Sequence, residues 1–142
     1  MAPILYLDYD GVLHPADVRV TKAEPLRPRI YRKGTPTDHP LFEHALLLSQ
    51  ILEAFPDVRI SLATSWVRAL GFEFAVQQLP PALRGRVVGT IWQGWMLHFP
   101  PLRRYDAITV DAEERRVERW LALGCVSKWS EPIEGADKVD GP

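Results

Sequence analysis

The stretch PILYLDYDG, residues 3–11, decides the fold class of this chain of 142 residues. Pro3–Leu7 form a short apolar run that ends abruptly at Asp8. A run of this kind, without polar alternation, is typical of a strand that is buried on both faces, as in a parallel sheet. Gly11 then permits a turn. The stretch therefore predicts a buried strand with two carboxylates, Asp8 and Asp10, at its carboxyl end.

The rest of the chain alternates between helical and strand-like apolar patterns. Helices are predicted over residues 39–55, 67–78 and 105–114, and strands over residues 58–63, 86–90 and 117–123. This alternation predicts a three-layer, Rossmann-like α/β fold, in which a mostly parallel sheet carries helices on both faces. Ligands of such folds bind beyond the carboxyl ends of the strands, near a topological switch point.

The chain is interpreted as one domain over residues 1–142. Residues 15–38 are polar and rich in proline and basic residues, and we interpret them as a flap or lid with a small hairpin around Lys33-Gly34. Residues 130–142 are predicted to be a loose C-terminal tail.

Composition and charge restrict the class of protein. The net charge of −1 supplies no global basic field that would attract nucleic acid or an anionic membrane. The single cysteine, Cys125, excludes an intrachain disulfide. The N-terminal residues lack the pattern of a signal peptide, and no apolar run approaches the ~20 residues that cross a bilayer. We therefore expect a cytoplasmic protein without a membrane partner.

Asp8 and Asp10 are the residues whose chemistry is most informative. In an extended chain their side chains share one face, and two neighbouring carboxylates repel each other unless a cation or a shared proton compensates. Mg²⁺ prefers such oxygen ligands and can neutralise a phosphoryl group while a carboxylate attacks it. The alternatives are an ordinary turn after a strand and, ranked last, a metal-dependent glycosyl-transfer site.

The second strand ends in Thr64-Ser65. A hydroxyl and backbone amides at a strand end, before a helix, can form a phosphate cradle. The alternative is that these residues only cap the following helix.

These motifs resemble those of a known superfamily. ILYLDYDGVLHP (residues 4–15) looks like the first motif of the haloacid dehalogenase (HAD) superfamily, and VRISLATSW (residues 58–66) resembles its second motif. Together with HPLFEHA, RVVGT and RWLAL, they are similar to a small bacterial branch that includes the HAD domain of Swiss-army-knife RNA repair proteins. The resemblance implies a HAD-like fold, and the short insertion after the first motif implies a small or absent cap.

The resemblance also implies roles for matched residues. Asp8 would be the nucleophile and a ligand of Mg²⁺, and Asp10 would be the general acid/base and would offer its backbone carbonyl to the metal. Thr64, with Ser65, would bind the phosphoryl group. Arg104 is the best match for the cationic third motif, and Arg103 is the runner-up.

Three further residues are expected to line the pocket: Gly11, His14 and Trp66. The chain departs from the superfamily at the fourth motif, because Gly124-Cys125 stands where relatives carry acidic residues that complete the magnesium site. Glu131 or Glu134 are the candidate substitutes.

Two functional hypotheses follow. The first is a Mg²⁺-dependent phosphohydrolase or phosphotransferase that forms an aspartyl-phosphate, with a nucleic-acid end or a small phosphate ester as its substrate. The second is a catalytically degenerate HAD-like domain that binds a phosphorylated ligand or a protein partner. The sequence leaves the oligomeric state open.

Overall fold

The computed structural model of the chain describes residues 2–92, 103–124 and 139–140. In chain order the elements of this part are β1 (Ile4–Leu7), β2 (Val18–Thr21), β3 (Arg29–Arg32), β4 (Thr35–Pro36), α1 (Ala45–Leu52), β5 (Arg59–Leu62), α2 (Trp66–Leu70), α3 (Phe72–Gln77), α4 (Pro81–Arg84), β6 (Val87–Thr90), α5 (Arg104–Glu114), β7 (Trp120–Leu123) and β8 (Val139–Asp140). Within the described residues, no helix is long and apolar enough to cross a membrane.

The main sheet is parallel and has the strand order β6-β5-β1-β7. The chain moves outward from β1 to β5 and β6, and then returns to the other side of β1 to form β7. The strand order therefore reverses at β1, and the topological switch point lies at the carboxyl ends of β1 and β7. This is where the sequence places Asp8 and Asp10.

Strand β1 is buried on both faces, which explains its uninterrupted apolar sequence. Leu5 and Leu7 contribute to a core cluster with α1, α3 and α4, whereas Ile4 and Tyr6 pack on the opposite face against α5. Helices thus cover both faces of the sheet. The predicted three-layer Rossmann-like α/β class is confirmed.

Residues 15–38, the predicted flap, supply β2, β3 and β4 to a small second sheet in the order β4-β3-β2-β8. The predicted hairpin at Lys33-Gly34 is present, and both residues have positive φ (52° and 78°), as a type I′ turn requires. Strand β8 (Val139–Asp140) pairs in parallel with β2. The other residues of the predicted tail, 130–138 and 141–142, lie outside the described residues.

The predicted helix 39–55 is too long at its start. Helix α1 begins only at Ala45, because Phe42 adopts a left-handed conformation (φ 59°) that a helix does not accommodate. This conformation lets the backbone N–H of Phe42 donate a hydrogen bond to Nδ1 of His14, at 3.1 Å. A tertiary contact therefore overrides the predicted helical periodicity before Ala45, and the helix also ends at Leu52, three residues before the predicted end.

The predicted helix 67–78 is also wrong as a single element. Gly71 has φ of 99° and separates α2 from α3. The short helix α4 was not predicted, and the predicted strand 117–123 begins only at Trp120. The predicted helix 105–114 is confirmed as α5, which starts one residue earlier, at Arg104.

Candidate active site

Four polar residues follow the carboxyl ends of two neighbouring strands. Asp8 and Asp10 follow β1, and Thr64 and Ser65 follow β5, whose last residue is in register with the last residue of β1. All four residues are buried, with 0–7% of their surface exposed. Because a buried polar group is costly unless it is hydrogen-bonded, the partners of these side chains define what the site can do.

The carboxylate of Asp8 is held by a backbone amide and by a distant arginine. Its Oδ1 accepts the N–H of Tyr9 at 2.8 Å, and its Oδ2 accepts Nη1–H of Arg104 at 2.9 Å. Arg104 lies 96 positions further along the chain, at the first residue of α5, and is itself buried. Arg103 instead forms an exposed ion pair with Asp106. Of the two candidate third-motif residues, only Arg104 reaches Asp8.

Arg104 has a second N–H group that lacks an acceptor. Its Nε is buried and has no hydrogen-bond partner among the described residues. A buried donor without a partner costs about 1–3 kcal/mol. The guanidinium thus offers one N–H to Asp8 and keeps another for a further acceptor. Phosphate oxygens suit this planar set of donors well.

Asp10 is surrounded by different donors. Its Oδ1 accepts the indole N–H of Trp66 and the Nε2–H of His14, each at 2.8 Å. Nδ1 of His14 accepts the N–H of Phe42, so the proton of the neutral imidazole is assigned to Nε2. The charges of Asp8 and Asp10 are therefore compensated separately, the first by a cation and the second by two neutral N–H groups.

An aromatic cluster covers the Asp10 side of the site. The rings of Tyr9, His14, Phe42 and Trp66 lie with centroids 4.9–5.7 Å apart, mostly edge to face. Burial raises the pKa of the Tyr9 hydroxyl, which donates a hydrogen bond to the carbonyl of Ala75 at 2.7 Å. The cluster fixes the rings of His14 and Trp66 and leaves little room for bulk water beside Asp10.

Thr64 and Ser65 follow β5, and Gly11 lies in the turn after β1. Oγ1 of Thr64 accepts the N–H of Trp66 at 3.2 Å, so this hydroxyl does take part in capping the start of α2. Ser65 makes no side-chain capping hydrogen bond. Gly11 forms an exposed turn with φ of 81°, which a residue with a side chain rarely adopts.

The arrangement provides oxygen donors of the kind that a magnesium site needs. Mg²⁺ is commonly held by one or two carboxylates together with water and substrate phosphate, so the donor chemistry of Asp8 and Asp10 fits this ion. Among the described residues, no three His, Cys, Asp or Glu side chains form a group that would hold a metal. Cys125, Glu131 and Glu134 lie outside the described residues.

Gly124 is the described part of the divergent fourth motif. Leu123 is in register with Leu7, and its carbonyl accepts the N–H of Asp8 at 2.9 Å. Gly124 therefore follows β7 directly beside Asp8, at the position where a fourth-motif carboxylate would face the site.

Trp92 is a site residue that the sequence reading missed. Its indole N–H donates to the carbonyl of Thr64 at 2.6 Å, and its ring lies 5.9 Å from the Arg104 guanidinium and 5.0 Å from that of Arg68. Its position just after β6, at the same edge of the sheet as Thr64, is the signal that would have revealed it.

A second missed feature holds α5 against the sheet. Oδ2 of Asp111 accepts the hydroxyl of Tyr6 at 2.7 Å and Nε–H of Arg115 at 2.8 Å. Burial and this hydrogen bond raise the pKa of the Tyr6 hydroxyl, which keeps it a donor. The Arg115 guanidinium lies against Gly89 of β6, where an added Cβ would stand 2.5 Å from it.

A parallel α/β sheet with a DxD motif after its first strand, a threonine after the neighbouring strand and a buried arginine paired with the first aspartate is typical of HAD-like proteins. The chain matches the family described as the HAD domain in Swiss Army Knife RNA repair proteins over residues 4–139, and it belongs to that family. No curated protein and no solved structure matches the chain. The family resemblance predicted from the motifs is confirmed.

Proposed function

We propose that this chain is a Mg²⁺-dependent phosphohydrolase or phosphotransferase that forms an aspartyl-phosphate on Asp8. The observation that carries the proposal is the buried contact between Asp8 and Arg104, in which Nε of Arg104 has no partner among the described residues. A carboxylate nucleophile beside a partly unsatisfied guanidinium suits a phosphoryl group, whose oxygens accept the remaining N–H groups.

In the first step, a carboxylate oxygen of Asp8 attacks phosphorus, and the bond between phosphorus and the leaving oxygen breaks. Arg104 and the Thr64 hydroxyl stabilise the negative charge on the transferring group. The leaving oxygen takes a proton from Asp10. Trp66 and His14, which both donate to Oδ1 of Asp10, orient this carboxyl group for the transfer.

In the second step, water attacks the phosphorus of the aspartyl-phosphate and gives a proton to Asp10. The bond between phosphorus and the Asp8 oxygen breaks, which releases phosphate and restores the carboxylate. A different acceptor in place of water would make the same site a phosphotransferase.

Asp8, through its carboxylate, and Asp10, through its backbone carbonyl, are the residues that would hold Mg²⁺. When bound, the ion would neutralise part of the charge of the phosphoryl group and of the Asp8 carboxylate. Arg104 already neutralises part of the charge of Asp8 without it.

We further propose that the substrates are phosphate monoesters, either small esters or nucleic-acid ends. Membership in a family of domains from RNA repair proteins supports the second of these classes. The short strands β2–β4 form only a small cap, which is compatible with a substrate larger than a metabolite.

The direct test is hydrolysis of 4-nitrophenyl phosphate by the full chain, with and without Mg²⁺. We expect release of nitrophenol that requires Mg²⁺. The alternative function, a domain that binds phosphate without turnover, is favoured by the absence of a third acidic ligand among the described residues. Binding of inorganic phosphate without any hydrolysis would support that alternative and contradict the enzymatic proposal.

The position of Gly124 yields a separate prediction. Gly124→Asp, alone or with Cys125→Asp, should raise the affinity for Mg²⁺ by at least about tenfold, because a further carboxylate would stand beside Asp8. Titration calorimetry with Mg²⁺ measures this change. Gly85→Asp is the matched control, since Gly85 is exposed between α4 and β6, where an added Cβ meets only ordinary contacts. An unchanged affinity in the Gly124 variants would show that this position does not face the metal.

A further inference from the structure

Arg68 is a cation beside the site to which the mechanism assigns no role. It lies on α2, two residues after Trp66, and is half-buried. Its guanidinium is 5.0 Å from the centre of the Trp92 ring, a distance typical of a cation–π contact. Among the described residues, no carboxylate forms an ion pair with it. A partly desolvated cation without a counter-charge attracts anions.

The same indole ring links Arg68 to the phosphoryl site. Arg104 lies 5.9 Å from the Trp92 ring centre, so the two guanidinium carbons are no more than about 11 Å apart. The ring is fixed in place because its N–H donates to the carbonyl of Thr64. Trp92 therefore lies between Thr64 and Arg68 in the chain of contacts, and its ring is near both guanidinium groups.

We propose that Arg68 and Trp92 form a subsite for a second phosphate group of the substrate. Arg104 would bind the phosphoryl group that is transferred, and Arg68 would bind a phosphate elsewhere on the same molecule. One substrate with two phosphate groups can span this separation, and arginine suits phosphate through its parallel N–H donors. The inference rests on the proposed function and narrows its substrates to esters with a second phosphate group.

The test compares inorganic phosphate with inorganic pyrophosphate, by titration calorimetry on the full chain at fixed free Mg²⁺. We expect Arg68→Gln to weaken pyrophosphate binding about tenfold and phosphate binding less than twofold. Arg68→Lys should retain part of the tighter binding of pyrophosphate relative to phosphate, since lysine keeps the positive charge. Arg119→Gln is the matched control: this exposed arginine precedes β7, at the opposite edge of the sheet, and its loss should change neither affinity.

A second pair of ligands distinguishes whether the second phosphate belongs to a nucleic-acid end or to a diphosphate. A dinucleotide with a 5′-phosphate carries one internal phosphodiester, which the corresponding nucleoside 5′-monophosphate lacks. If the protein binds the dinucleotide more tightly than the monophosphate, and Arg68→Gln abolishes this difference, the second phosphate belongs to a nucleic-acid end. If the same holds for pyrophosphate compared with phosphate, the second phosphate belongs to a diphosphate. If Arg68→Gln weakens every ligand equally, or none, the subsite is disproved. If the ligands with a second phosphate bind more tightly through Arg68 but 4-nitrophenyl phosphate is not hydrolysed, the subsite is supported and the enzymatic proposal fails.

Discussion

Asp8→Asn is expected to lower kcat for 4-nitrophenyl phosphate by at least about 10⁴-fold, because the amide cannot form an aspartyl-phosphate. The change is nearly isosteric. The Asn oxygen can accept one of the two hydrogen bonds that now reach the carboxylate, from Tyr9 and from Arg104. The fold should therefore persist, although Arg104 loses its counter-charge. The measurement is steady-state kinetics at saturating Mg²⁺, together with thermal unfolding to show that the variant is folded.

Asp38→Asn provides the matched control for this experiment. The Asp38 side chain is fully exposed, and its contact with Arg29 is long, at 3.5 Å. Its substitution changes the net charge by the same amount and should leave kcat within twofold of the wild type, because exposed pairs of this kind contribute little. Turnover by Asp8→Asn at a rate near that of this control would disprove the assignment of Asp8 as the nucleophile.

Asp111→Ala is expected to lower the free energy of unfolding by about 3 kcal/mol, because it leaves the Tyr6 hydroxyl and the Arg115 guanidinium without their shared acceptor. Asp111 is only 3% exposed, so water does not readily replace it. Tyr6→Phe, which removes one donor and leaves no unsatisfied group on itself, should cost about 1 kcal/mol. Denaturant titration of each variant measures both values.

The double variant tests whether these residues act as one network. In the Tyr6→Phe background, Asp111→Ala should cost less than it does alone, since one of its two donors is already absent. Asp106→Ala, on the same helix but partly exposed and paired with Arg103, should change stability by less than about 0.5 kcal/mol. Equal costs for Asp111→Ala and Asp106→Ala would show that the network contributes nothing beyond helix propensity.

Sequence analysis predicted correctly those elements whose apolar pattern follows directly from which of their faces are buried. Strand β1 reads as apolar because both its faces are covered, and α5 follows a regular periodicity. The start of α1 was mispredicted because the conformation of Phe42 depends on a contact with His14, which is remote in sequence. The break at Gly71 was missed because one glycine within a helical pattern is compatible with either outcome.

Some residues of the candidate site could likewise be predicted from local sequence, whereas others could not. Asp8, Asp10 and Thr64 could be identified because each follows a strand within a recognisable motif. Spacing alone could not choose between Arg103 and Arg104, and the choice became clear only from the direction of the first turn of α5. The contacts of Trp92 with Thr64 and of Tyr6 with Asp111 join residues that are remote in sequence, for which no local pattern exists.

The central position of β1 has a consequence for when the candidate site is assembled during folding. β1 is the first strand in the chain, yet one of its two neighbours, β7, is formed more than one hundred positions later. The pairing of Asp8 with Arg104 likewise closes a loop of 96 positions. Contacts of such high sequence separation slow folding, because the chain loses entropy before they form. During synthesis, a nascent chain that lacks β7 would expose an edge of β1, and the pairing of Asp8 with Arg104 would form only among the final events of folding.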